Sequence, residues 1–383
     1  MEMTTRHKIL CVVGARPNFM KISPVMAALQ RSAKLSPYLL HTGQHYDEAM
    51  KHAFFHQLGI PEPDTDLEVG SGSHAVQTSE IMRRFEPVLD REQPAAVLVV
   101  GDVNSTIACA LVAVKKGVPV VHVEAGLRSY DRAMPEEINR VLTDQISDLL
   151  FTTEREARDN LAREGIGEER VHFVGNVMID TLMRELKKKV SASQTLAKAG
   201  AGEAFAAGAF GLLTLHRPSN VDDPAVLEGL LRTLTNISER LPLVFPMHPR
   251  TEGKIREAGL GNLLDNPSIL TMPPQGYLEL LGFMSEARVV LTDSGGIQEE
   301  TTALGIPCIT LRENTERPIT VTEGTNTVVG TDPARILAAF DEIMTHGGKA
   351  GRVPEMWDGK AAERIVQVLE TWLDRPSQRQ QPA

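Results

Sequence analysis

Short apolar runs separated by longer amphipathic ones recur from one end of this 383-residue chain to the other, and that alternation limits its fold more than any other feature. The runs lie at residues 8–13, 38–42, 96–100, 119–123, 149–152 and 171–174, then at 212–215, 243–247, 269–272, 289–292, 308–311 and 327–329. Each has the length of a strand, and most are followed by a segment of helical spacing, as at 104–115 and 136–146. Strand, helix, strand repeated this way predicts parallel sheets with helices on both faces. The pattern breaks at 186–208, where lysines, serines and an Ala/Gly-rich stretch suit a hinge or linker. The expected fold is α/β: two Rossmann-like domains with parallel sheets facing across a cleft. The N-terminal domain is expected at 1–185, the linker at 186–208 and the C-terminal domain at 209–358. A terminal helix and tail at 359–383 should pack back on the N-terminal domain.

Charge and composition narrow the function classes. A net charge of -10 argues against nucleic acid, which needs a basic face. The one basic run, Lys187-Lys188-Lys189, reads as a solvated helix end. No stretch reaches the ~18 apolar residues of a membrane span, and the apolar run at 9–13 is short for a secretory signal. Cys11, Cys109 and Cys308 are too few and scattered for a disulfide framework or a zinc site, so no metal is expected. The expected setting is the cytoplasm.

In open parallel sheets, ligands bind beyond the carboxyl ends of the strands, where loops lead into helix N-termini. Four such places carry chemistry. At 14–21, Arg16 and Lys21 flank a helix start, which can form an anion site for a diphosphate or can be an ordinary turn with basic residues. At the second, Asp102 and Glu124 each close an apolar strand, where a carboxylate needs a partner or a task. Glu136 and Glu137 follow Pro135 at a helix start; helix-dipole preference alone can explain them, but carboxylates gathered together can share acid and base work.

The third place is His216-Arg217, repeated in kind at His248-Pro249-Arg250, where the cations can neutralise phosphate oxygens or protonate a leaving group. The fourth is Asp293-Ser294-Gly295-Gly296, which brings bare backbone N–H groups to a helix start. An ordinary N-cap by Asp293 or Ser294 is the alternative there. Glu300 stands one turn on and could take a pair of ribose hydroxyls, and Arg317 adds a cation after a later strand. The stretch 70–75 matches the G-x-G-x-x-A dinucleotide fingerprint, but an acidic segment precedes it and Asp90 falls near a helix end. It reads as a mobile Gly/Ser loop, which argues against a dehydrogenase.

Taken together, residues 14–21, Thr42-Gly43-Gln44-His45, Gly101-Asp102, HVEAGLR at 122–128, PEEINR at 135–140, His216-Arg217, 293–300 and Thr315-Glu316-Arg317-Pro318 closely resemble the non-hydrolysing UDP-N-acetylglucosamine 2-epimerases. The resemblance covers nearly the whole chain. It implies a glycosyltransferase-B-like fold, a UDP-N-acetyl-sugar substrate, a homodimer and no required cofactor. It implies anti elimination of UDP to a 2-acetamidoglucal and syn re-addition on the other face at C2.

Carried over by motif, Asp102, Glu124 and Glu136 would be the acid/base and ring-stabilising carboxylates, and His216 would assist departure of UDP. Arg16, Lys21, Arg317 and the backbone of Ser294, Gly295 and Gly296 would grip phosphate or sugar, with Glu300 on the ribose. Arg217 and His248 join them as substrate-binding candidates. Gln44 and His45 match positions tied in many bacterial relatives to a second, activating UDP-N-acetylglucosamine. Those relatives add an Arg-Gln pair downstream, which the 70–77 stretch lacks. Here Pro218-Ser219 also stands where many relatives carry Arg-Glu. A modified UDP-sugar such as a 2,3-diacetamido uronic acid therefore remains open. A glycosyltransferase of the same fold, a hydrolysing epimerase and a nucleotide-sugar-binding protein are the rival readings.

Overall fold

The structure, a computed structural model, describes residues 6–44, 55, 57–201, 205 and 209–375. The chain divides into two compact units, Met1–Arg184 with Glu355–Ala383, and Glu185–Pro354.

The first unit holds a sheet of seven strands. They are β1 (His7–Val13), β2 (Leu35–His41), β3 (Thr65–Asp66), β4 (Ala96–Val100), β5 (Val120–Ala125), β6 (Leu149–Thr152) and β7 (Val171–Phe173). Their order is β3-β2-β1-β4-β5-β6-β7, and every pairing is parallel. The second unit repeats the scheme with β8 (Gly211–Thr214), β9 (Leu243–Pro246), β10 (Ile269–Met272), β11 (Val289–Thr292), β12 (Cys308–Thr310) and β13 (Asn326–Val328). Its order is β10-β9-β8-β11-β12-β13, again all parallel. Every strand read from the sequence has a counterpart. Among the described residues, only β3, two residues at a sheet edge, was not expected.

Central strands such as β4 and β5 are buried along their whole length. That is why β4 reads as a continuous apolar run instead of an alternating one, while β5 is interrupted only by His122 and Glu124. In the first unit the core joins Leu10, Val12, Val97 and Val99 to Ile81, Phe85 and Leu89 of the helix His74–Glu92. In the second, Leu213, Leu291 and Ile309 meet Leu227, Leu231 and Phe340. Helices start and stop where the chemistry asks. Asp223 and Asp332 accept backbone N–H groups at N-caps followed by Pro224 and Pro333, while Gly305 and Gly347 close helices with positive φ. The three cysteines are buried and unbridged, and burial pushes each thiol up, Cys308 to about 11.

Residues 186–198 carry a 3-10 turn (Leu186–Lys188) and a short helix (Ala192–Lys198), and Val190 donates to the Leu278 carbonyl. From Glu355 the chain belongs to the first unit again. Trp357 is buried and donates to the Thr153 carbonyl at 3.1 Å. Asp180 accepts from the amides of Ala361 and Ala362 at 3.1 and 2.7 Å, so it caps the terminal helix Ala361–Leu373 from another element. Among the described residues, no helix is long and apolar enough to cross a membrane.

Candidate active site

At the carboxyl end of the first sheet, four loops are tied together by buried charge. After β1 the helix Arg16–Arg31 begins. Asn18 accepts from the amides of Gly14 and Ala15 at 3.2 and 3.1 Å and donates to the Val100 carbonyl at 3.0 Å. The turn after β1 is thereby fixed to the end of β4. One turn further into that helix, Lys21 Nζ lies 2.6 Å from Glu124 Oε1, with side chains 6% and 1% exposed. Glu124 sits at a bulge of β5 with φ 72°. The backbone there is strained for a non-glycine residue, a cost that concentrates at functional positions. Gly101, with φ 66°, packs against the Lys21 ammonium. Lys21, expected to grip phosphate, is therefore the buried counter-ion of Glu124.

Asp102 follows Gly101. Its Oδ2 accepts from Nε of Arg140 at 3.1 Å and also from Nη2 of the same guanidinium. Arg140 stands on the helix Pro135–Ile146 and donates through Nη1 to Glu137 Oε2 at 2.7 Å. Glu137 is committed to structure, since it also accepts from the amides of Ser129 and Tyr130 at 3.0 and 2.8 Å. Glu136, one position earlier, is half-buried, with no ion pair or side-chain hydrogen bond among the described residues. Beneath this surface runs a chain of buried contacts. His122 Nδ1 is 2.7 Å from Asp144 Oδ1, and Asp144 Oδ2 meets Arg128 Nη2 at 2.7 Å. Burial raises the Asp144 pKa, but the charges of His122 and Arg128 outweigh it and hold this carboxyl below its usual range.

Gln44 is buried, and its Oε1 accepts from the Ser105 amide and hydroxyl at 3.0 and 2.7 Å. Its amide oxygen thus caps the helix Asn104–Lys115. His45 and the side chain of Arg16 lie outside the described residues. The 70–75 stretch follows the two-residue β3 and leads into the helix His74–Glu92, with Ser73 at its N-cap and Asp90 paired to Lys116 at 2.8 Å.

In the second unit, Asp293 ends β11 with no solvent exposure and accepts from the amides of His216 and Arg217 at 2.9 and 2.8 Å. His216 Nδ1 lies 3.0 Å from Asp293 Oδ1, while its side chain is 39% exposed. Burial raises the Asp293 pKa, but His216 and the two amides prevail and keep it low. An ionised Asp293 holds the proton of His216 on Nδ1 and aims Nε2 outward. The His248 ring lies 5.8 Å from that of His216, and its Nδ1 accepts from the Arg250 amide at 3.2 Å.

Ser294, Gly295 and Gly296 open the helix Gly295–Leu304, and the Ser294 side chain makes no capping bond. The first N–H groups of this helix therefore point off its end, the arrangement that receives anions. Beside it, Arg317 Nε is 3.1 Å from Glu299 Oε2 and its Nη1 is 3.1 Å from Glu316 Oε1. Arg312 binds the other Glu316 oxygen at 2.8 Å, and Arg217 Nη2 stands 3.7 Å from Oε1. Glu300 is buried and accepts from the Tyr277 hydroxyl at 2.8 Å. Asp293 is the residue that sequence reasoning passed over, since a possible N-cap masked its bond to a histidine 77 positions away.

A family profile described as UDP-N-acetylglucosamine 2-epimerase matches residues 27–370. The chain belongs to the UDP-N-acetylglucosamine 2-epimerase family. It is 43% identical over 369 residues to a Methanococcus maripaludis protein of that name, a match covering 95% of this chain and 98% of the relative. It is also 43% identical over 374 residues to the Pseudomonas aeruginosa UDP-2,3-diacetamido-2,3-dideoxy-D-glucuronate 2-epimerase, covering 94% and 99%. The fold matches the crystal structure of Methanocaldococcus jannaschii UDP-N-acetylglucosamine 2-epimerase in complex with UDP-N-acetylglucosamine and UDP. That match has a TM-score of 0.88 at 40% identity, over 95% of this chain and 99% of that one. The two parallel-sheet units expected from the sequence are the glycosyltransferase-B-like architecture of these epimerases.

Proposed function

We propose that this chain interconverts UDP-N-acetylglucosamine and UDP-N-acetylmannosamine. The reading rests on one observation above the others: three carboxylates, Asp102 after β4, Glu124 at the end of β5 and Glu136 at the start of the helix Pro135–Ile146, belong to neighbouring elements of one parallel-sheet unit, and two of them are held by buried cations. Such an arrangement suits proton transfer at carbon, and the family membership supports it.

The C2 hydrogen of the sugar is not acidic, so cleavage of the C1–O bond has to lead. UDP departs with the electron pair, a carboxylate takes the C2 proton, and a C1=C2 double bond forms in a 2-acetamidoglucal. A proton is then returned to C2 on the opposite face, and a UDP oxygen re-adds at C1. Protonated on both ring nitrogens, His216 can give its Nε2 proton to the departing diphosphate and is left as the Nδ1–H tautomer that Asp293 holds. The helix start at Ser294, Gly295 and Gly296, with Arg217 and Arg317, stabilises the charge that develops there. Glu300 is the candidate for the ribose. Within this reading the enzyme works as a homodimer in the cytoplasm and needs no cofactor.

The Pseudomonas aeruginosa relative matches at the same 43% identity and carries the name of a diacetamido-uronate epimerase. The uronate is therefore the second substrate to offer. Supplying each UDP-sugar separately and following its C2 epimer by NMR separates the two; epimerisation of neither, with acceptor-dependent release of UDP, would point to a glycosyltransferase.

A further inference from the structure

His122 lies on β5, two residues before Glu124, and is fully buried. Its two ring nitrogens face two different elements. Nε2 is 2.8 Å from the carbonyl oxygen of Gly101, the residue before Asp102. Nδ1 is 2.7 Å from Asp144 Oδ1, on the helix that carries Glu136 and Arg140. A carbonyl oxygen can only accept, and so can an ionised carboxylate. Both ring nitrogens must therefore carry hydrogen, because either neutral tautomer would set a nitrogen lone pair against an oxygen lone pair inside the protein.

Charge points the same way. Asp102, Glu124, Glu137 and Asp144 gather at this end of the sheet, and Lys21, Arg128 and Arg140 face them. A cationic His122 brings a fourth positive charge against these four buried or paired carboxylates. Glu136, half-buried on the same helix as Asp144, and Glu164, which also pairs with Arg128, lie nearer solvent. Buried charges persist when paired and hydrogen-bonded, and this pairing is complete only with the imidazolium.

We propose that His122, as a buried imidazolium, is the positioning residue that fixes Asp102, Glu124 and Glu136 relative to one another. From inside the strand of Glu124 it grips the turn of Asp102 and the helix of Glu136. This rests on the reading of those three carboxylates as acid/base groups. Losing the double donor loosens two of the three elements while leaving the phosphate-binding groups of the second unit untouched. The deficit therefore falls on the chemical step, where a misplacement of about 1 Å can cost about 100-fold.

The test uses the full chain with 15N-labelled histidine, alongside His122→Asn and His122→Gln. The wild type should show a histidine with both ring nitrogens protonated, and His122→Asn should lack that signal. Both variants should bind UDP as the wild type does and keep its KM, with kcat lowered about 100-fold per UDP-binding chain. A neutral-tautomer signal for His122 overturns the proposal, as does a kcat that survives in either variant. Should neither variant fold, the wild-type ring signal still decides. Absence of C2 exchange in the wild type would contradict the functional reading instead, and the ring signal would be judged on its own.

Discussion

Lys21 and Glu124 form an ion pair of 2.6 Å across 103 positions of sequence, and both side chains are almost fully removed from water. A pair of this kind contributes little net stability, but breaking it from one side leaves a buried charge without compensation. Lys21→Met should therefore destabilise the chain by about 3–5 kcal/mol. The double variant Lys21→Met with Glu124→Gln should recover much of that loss in urea unfolding, yet stay inactive. A stable, active Lys21→Met would show that the pair is incidental.

Gly101 has φ 66°, and a Cβ there would sit 2.8 Å from Lys21 Nζ. The ammonium cannot step aside without leaving Glu124. Gly101→Ala should cost about 1–3 kcal/mol, as expected of strain at a left-handed position. It should also lower kcat by displacing Asp102. Thermal unfolding and initial rates on the same preparation would check both.

Asp293 has a folded pKa below its ordinary value. Its contribution to stability is thus complete above the unfolded carboxylate range, about pH 4, and is lost as pH falls through the folded value. Asp293→Asn should be less stable than the wild type at neutral pH, with the difference shrinking below about pH 4. The same variant should slow C1–O cleavage, because an amide neither sets the His216 tautomer nor stabilises its cation. Denaturant midpoints from acid to neutral pH would read the first effect, and single-turnover kinetics the second.

At the start of the helix Gly295–Leu304, a Cβ on Gly295 would lie 2.7 Å from Glu316 Oε1. Gly295→Ala should disturb the set of Arg217, Arg312 and Arg317 around that carboxylate and weaken UDP binding, measured by calorimetry. The first unit, with Asp102 and Glu124, should unfold as before.

The fold was legible because parallel strands buried on both faces must be continuously apolar, as in Ala96–Val100, and because longer amphipathic helices such as His74–Glu92 separate them. The strand Thr65–Asp66 was not, since two polar residues at a sheet edge carry no periodic signal. Among the site residues, Asp102, Glu124 and His216 announced themselves as polar groups ending apolar runs. What no local pattern could reveal was partnership. Lys21 read as an anion-binding cation beside a helix start, and only the fold brings it to Glu124. Arg140 lay inside a recognised motif without a task, although it holds Asp102. Gln44 stood out only through a resemblance to positions tied to a second, activating UDP-sugar, and no local pattern showed that its amide oxygen caps a helix. Asp293 was hidden because the same residue type in the same place serves as an ordinary N-cap.

The central claim is proton exchange at C2 driven by the carboxylates of the first unit. It is tested most directly by incubating the purified chain with UDP-N-acetylglucosamine in heavy water, with nothing added, and following the sugar by NMR. The account predicts UDP-N-acetylmannosamine carrying deuterium at C2, and neither epimer nor deuterium with Asp102→Asn, which should still bind UDP. Epimerisation without deuterium incorporation, or an Asp102→Asn variant that exchanges at the wild-type rate, would contradict it.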